Sequence, residues 1–159
     1  MDWLIPLLAL LVTLFGFYLQ RRESEKSQKP IPQIVFGDTA KQIFVRVQNN
    51  GVGPLITNQL TFIKNGNSYT DIEECLDLDP KSYMHTQITG ADKKVLIPGS
   101  YLEVFSTQFE EYEAEKEMDV VRKQLSQLTL KVDCQDIYNN KTAIERELKW
   151  FSRHLVDIF

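Results

Sequence analysis

The chain is poor in the residues that build reactive or cross-linked sites. It holds two cysteines and two histidines among 159 residues. Two cysteines cannot make a disulfide-dense scaffold, and so few thiols and imidazoles show no spacing that suits a zinc site. An excess of basic charge is also missing, since 18 Lys+Arg face 22 Asp+Glu for a net charge of −4. Nucleic-acid-binding domains carry a basic patch, so nucleic acid is excluded as the main partner. The sequence contains no G-x-x-x-x-G-K-[ST], no G-x-G-x-x-G and no G-x-S-x-G, the glycine patterns that cradle phosphates or raise a nucleophile on a sharp turn. Nothing pairs a nucleophile with a base, so neither an enzyme nor a cofactor is expected.

Charge is wholly absent from one stretch, Trp3 to Leu19. At about 1.5 Å of rise per residue this run makes roughly 26 Å of helix, close to the ~30 Å hydrocarbon core of a bilayer. Pro6 falls in the first turns, where a missing N–H costs little. Trp3 and Tyr18 suit the two interfaces, Leu7, Leu11 and Phe15 suit the lipid between them, and Arg21 and Arg22 can reach headgroups. These seven residues are the expected membrane anchor. A secretory signal peptide is the rival reading. It requires a positive n-region and a small-residue cleavage site, whereas only Met1 and Asp2 precede the run and Gly16-Phe17-Tyr18-Leu19-Gln20 follows. Lys and Arg lie only on the C-terminal flank, at Arg21, Arg22, Lys26 and Lys29. Positive residues stay inside, so the rest of the chain is expected in the cytoplasm.

The chain therefore divides into an anchor at 1–20, a basic polar linker at 21–32 and a domain at 33–159. The linker, RRESEKSQKPIP, lacks apolar periodicity, and Pro30 and Pro32 favour extended backbone. It is expected to be a tether reaching at most ~40 Å. Its four cations could also touch anionic lipid. Three of the acids and four of the bases precede Gln33, so the domain is acidic. A negative leaflet repels such a domain, which should project toward a protein partner.

In the domain, short segments alternate with period two between turn signals. Strands are expected at Gln33–Phe36, Lys41–Gln48, Leu55–Lys64, Tyr83–Thr89, Lys94–Ile97, Ser100–Phe109, around Leu128–Cys134 and at Lys141–Trp150. Asn49-Asn50-Gly51, Asn65-Gly66, Pro98-Gly99 and Asn139-Asn140 separate them. Many short strands without long intervening helices predict a mainly β fold, an immunoglobulin-like antiparallel sandwich behind the transmembrane helix. One short helix is expected after the capping box Thr70-Asp71-Ile72-Glu73, ending before Pro80. A longer one is expected from about Glu110 to Gln127, with Ala114, Met118, Val121, Leu125 and Leu128 on one face.

The runs Asn49-Asn50-Gly51-Val52-Gly53-Pro54, Ile97-Pro98-Gly99 and Asp136-Ile137-Tyr138-Asn139 resemble a pattern in small bacterial membrane-anchored proteins. Those pair one N-terminal span with an immunoglobulin-like sandwich and are mostly of unknown function. The resemblance implies the architecture and no activity. Cys134-Gln135 stands where that pattern leads one to expect an aromatic residue.

Two segments are candidate partner contacts. Glu110, Glu111, Glu113, Glu115 and Glu117 crowd acids onto the start of the longer helix, where Glu111/Glu115 and Glu113/Glu117 repel at i,i+4. A basic partner would relieve that repulsion, although a solvated face held by the apolar stripe explains the same residues. Phe151, Leu155 and Phe159 share a helical face in an apolar tail. The tail either packs back on the sandwich or docks in a partner's groove. Cys134 reads as a small buried hydrophobe and Cys75 as an inert thiol among acids. Asp71, Glu73, Glu74, Asp77 and Asp79 lack calcium-loop spacing, and His85 and His154 have no near ligand partners, so no metal is expected. Asn140-Lys141-Thr142 is a formal glycosylation sequon without meaning in the cytoplasm. The expected function is a membrane-anchored, non-enzymatic protein whose cytoplasmic sandwich binds another protein, as a scaffold or accessory subunit, with membrane lipid contacted through the N-terminal helix. The alternative is an outward-facing adhesion or sensor module of the same fold.

Overall fold

The computed structural model describes residues 3–110 and 114–155. A single helix, α1 (Leu4–Ser27), leads the chain, and none of its residues is buried. Among the described residues nine strands follow: β1 (Pro32–Thr39), β2 (Gln42–Asn49), β3 (Leu55–Lys64), β4 (Asn67–Tyr69), β5 (Met84–His85), β6 (Lys94–Leu96), β7 (Tyr101–Gln108), β8 (Leu128–Gln135) and β9 (Lys141–Glu147). A helix, α2 (Ala114–Leu125), joins β7 to β8. Short 3-10 turns occupy Pro80–Ser82 and Leu148–His154. The strands form two antiparallel sheets, β1-β2-β7-β5 and β4-β3-β8-β9, with β6 also on β3.

Alternation decides which side chains enter the space between the sheets. In β2, Ile43, Val45, Val47 and Asn49 point in, and in β8 Leu128, Leu130, Val132 and Cys134 do. β3 changes phase midway: Leu55 and Thr57 are buried, then Leu60 and Phe62. The register shift between Thr57 and Gln59 inserts one residue and resets the face. The β3–β4 hairpin closes on Asn65 and Gly66 at φ 52° and 81°, the positive angles a two-residue turn of this hand requires.

Helix α2 buries Met118, Val121 and Leu125, the stripe its spacing predicts. A side-chain fork also fixes it to β1. Arg122 donates from Nε to Asp38 Oδ2 at 2.9 Å and from a terminal nitrogen to Asp38 Oδ1 at 2.8 Å. The Asp38 side chain is 1% exposed, so this is a largely desolvated pair with bidentate geometry.

Three expectations are corrected in detail. The segment read as an extended tether is helical as far as Ser27. Helix nucleation is the expensive step, and the apolar run has already supplied it, so Arg21–Ser27 extends the helix without needing an apolar face. The capping box at Thr70 yields one turn, in which the Leu76 N–H donates to the Ile72 carbonyl, and the 3-10 turn begins at Pro80 instead of the helix ending there. The last strand stops at Glu147, because Leu148 and Phe151 turn inward and are fully buried.

Candidate functional site

The place where α1 meets the sheets is built around Asn49. This side chain is 0% exposed and uses its hydrogen-bonding groups on three segments. Its amide nitrogen donates to the Gly53 carbonyl at 2.8 Å and the Leu96 carbonyl at 3.0 Å. Its Oδ1 accepts from the Gly51 N–H at 3.0 Å and the Ile31 N–H at 3.3 Å. Backbone bonds reinforce the joint: Val52 N–H to Lys29 carbonyl, Asn50 N–H to Ile31 carbonyl, and Gly99 N–H to Asn49 carbonyl. Gly53 is needed for close approach, since a Cβ there would overlap the Gln28 carbonyl oxygen. Pro30 is buried in the same joint. The helix end is therefore clamped onto the domain.

A cleft of about 420 Å³ lies between the last turns of α1 and the β8–β9 hairpin. Arg22, Lys26 and Lys29 line it from the helix side, and Asp136, Lys141 and Thr142 from the domain side. Arg22 and Lys26, four residues apart on α1, share one helical face, and Lys29 follows just past the helix end at Ser27. Asp136 organises the hairpin loop. Its Oδ1 accepts from the N–H groups of Tyr138 and Asn140, and its Oδ2 accepts from the Asn140 amide, each at 2.8 Å. Burial pushes the Asp136 carboxyl up, but the Asn140 and Tyr138 hydrogen bonds outweigh it and hold the group below its usual range. Asn139 takes φ 65° at the tip.

The expected anchor residues are all exposed, Trp3 just ahead of α1 and Leu7, Leu11, Phe15, Tyr18, Arg21 and Arg22 on it. Of the acidic candidates, Glu110 is exposed ahead of α2 and Glu115 and Glu117 are exposed on it, while Glu111 and Glu113 lie outside the described residues. The tail candidates separate. Phe151 is 0% exposed and its ring lies 5.5 Å from Phe36, which removes it from any contact surface of the folded domain. Leu155 is half-buried, and Phe159 lies outside the described residues. Both thiols are buried, which is the main reason each is pushed up to about 11.

Sequence spacing gave no hint that His85 would meet acids. The fold lays the 70–79 loop beside β5, bringing His85 Nε2 to 3.5 Å from Glu73 and 3.7 Å from Asp71. One imidazole and two carboxylates form a mixed donor set that divalent transition metals accept, and a protonated His85 would pair with the same acids. Asn49 and Lys141 were also missed as a joint and a cleft wall. Both stand beside turn signals, and a turn signal does not say what the turn packs against.

No protein-family model and no curated protein matches the sequence. The solved structures that are similar include two archaeal ones. The archaellum periplasmic stator protein FlaG from Sulfolobus acidocaldarius shares 10% identity at TM-score 0.28, covering 73% of this chain and 100% of that one. The archaeal flagellum of Methanospirillum hungatei strain JF1 shares 10% identity at TM-score 0.29, covering 87% and 80%. At these TM-scores neither carries an argument about the role of this chain.

Proposed function

We propose that this chain is a single-span, non-enzymatic membrane protein whose β domain binds another protein, as a scaffold or accessory subunit. One observation carries the proposal: α1 is long and apolar enough to cross a bilayer, and its apolar stretch is not buried by any of the described residues. Leaving that many apolar side chains in water would cost far more than the stability of a small domain, so lipid is the environment that fits. The resemblance to small bacterial anchored proteins bears on this layout alone. Thiols pushed up to about 11 argue against a thiolate nucleophile, which needs the opposite shift.

The domain faces the cytoplasm on this reading, because Arg21, Arg22, Lys26 and Lys29 flank only the C-terminal end of the apolar run. The exposed acids of α2, with Val120 exposed among them, form the surface for a basic partner. Intact mass, carbonate extraction and protease protection in sealed vesicles test the proposal together. The expected result is an uncleaved chain that stays in the membrane pellet, with its domain shielded in right-side-out cells. A mature chain lacking residues 1–20 would refute the anchor. A domain shaved from intact cells would establish the outward-facing alternative.

A further inference from the structure

We infer that the cleft between α1 and the β8–β9 hairpin binds the phosphate headgroup of an anionic phospholipid. This rests on the anchor reading above and deepens it. Depth is the first argument. If Leu19 marks the edge of the hydrocarbon, Arg22 stands about 5 Å beyond it and Lys26 about 10 Å. The headgroup layer occupies roughly 5–8 Å on each side of the hydrocarbon. The mouth of the cleft, at Arg22, therefore sits at phosphate depth. The domain reaches back along the helix to that level, because Lys141 and Thr142 line the same cleft as Arg22. Ile137, 46% exposed in the loop beside them, is an apolar tip suited to the interface.

Charge is the second argument. Four cations converge on the cleft: Arg22, Lys26, Lys29 and Lys141. None of them forms a salt bridge among the described residues. The two acids in the wall are already engaged. Glu25 takes Arg21 at 3.3 Å, and Asp136 is closed by three hydrogen bonds from its own loop, with Lys29 a more distant attraction. A solvated charge run would spread its cations into water. Here Arg22 and Lys26 share a face of α1, Lys29 follows just past its end, and all three, though exposed, line a cleft whose other wall contributes a further lysine, so they repel one another across it until an anion enters. Phosphate accepts from several donors at once, and the Thr142 hydroxyl adds a neutral one. A volume of about 420 Å³ suits a headgroup. A lipid has an advantage over free phosphate, because its acyl chains lie along α1 and hold the headgroup at the cleft. The domain is acidic as a whole, yet the face nearest the leaflet is basic.

The test uses the full chain in nanodiscs and in mild detergent. Delipidated protein is titrated with phosphatidylglycerol or phosphatidylcholine and bound lipid is counted by native mass spectrometry. The expected result is selective retention of phosphatidylglycerol. Lys141→Gln should weaken it about fivefold, as should Lys26→Gln, following the contribution of one basic residue near an anionic surface. Lys149→Gln, away from the cleft, should leave it unchanged. Lys141 decides the matter, since it lies far in sequence from the charges that flank the span. If Lys26→Gln acts and Lys141→Gln does not, the cations are ordinary flanking charge and the cleft is overturned as a site. If inorganic phosphate binds as tightly as phosphatidylglycerol, the lipid assignment is overturned in favour of a free anion. A chain that inserts in nanodiscs but shows no phosphatidylglycerol preference refutes this inference alone, whereas one that does not insert refutes the anchor as well. Circular dichroism of Lys141→Gln confirms that its fold is intact.

Discussion

Asn49→Ala should cut the helix loose from the domain. The side chain satisfies two carbonyls and two N–H groups drawn from the helix exit, the β2–β3 loop and the end of β6. Truncation removes all four bonds from a position with 0% exposure. At about 1 kcal/mol net for each bond, the loss is about 4 kcal/mol. That is a large share of the 5–15 kcal/mol that holds a typical domain together. Asn49→Asp separates the two halves of the effect. It keeps both acceptor bonds but replaces the donor with a carboxylate facing the Gly53 and Leu96 carbonyls, so it should be at least as damaging as alanine. Urea unfolding of the full chain in detergent, followed by the strand signal in circular dichroism, measures the energy. Hydrogen exchange at residues 29–31 and 50–53 locates it, and both segments should lose protection before the sheets do. If both variants unfold within about 1 kcal/mol of the parent and exchange is unchanged, Asn49 does not hold the joint and the reasoning fails.

Removing Arg122 tests the buried fork on Asp38. Arg122→Met strands a carboxylate whose side chain is 1% exposed, at an expected cost of about 3–5 kcal/mol, while Asp38→Leu with Arg122→Met should regain most of it. Equal stability of the single and double variants by thermal denaturation would contradict this. Cys75 and Cys134, pushed up to about 11 by burial, should resist maleimide at pH 8 in the folded chain and react promptly in urea. Labelling at the same rate in both states would show that the thiols are open. The folded Asp136 carboxyl titrates below its unfolded value near ~4, so its stabilisation is complete above that value and is lost as pH falls through the folded one. Asp136→Asn should therefore flatten the acid limb of stability against pH, and an unchanged limb would sink the assignment.

The strands were legible because each is governed by a local rule. Period two and the Asn-Gly turn place β3 at Leu55–Lys64, as expected, and the 3-4 spacing of Met118, Val121 and Leu125 marks the buried stripe of α2. What escaped depends on distant residues. Phe151 carries the pattern of an amphipathic tail, and its partner is Phe36 of its own core. His85 gains acids from a loop twelve or more residues away. Arg21–Ser27 shows no apolar face, and its helicity is inherited from the span before it. The cleft needed the helix and the β8–β9 hairpin at once, since Lys141 becomes informative only beside Arg22 and Lys26.

The continuity of α1 through Ser27 and its seating against Gly53 have a geometric consequence. A limp tether would let the domain face any direction. With α1 seated in a bilayer as proposed, a rigid shaft would fix its compass bearing about the membrane normal. Each residue gained or lost between Gln20 and Ser27 turns the domain by about 100° and raises or lowers it by about 1.5 Å. The count of residues in that short polar stretch thus acts as a gear setting. It selects which flank of an unchanged β domain is presented to whatever stands beside it.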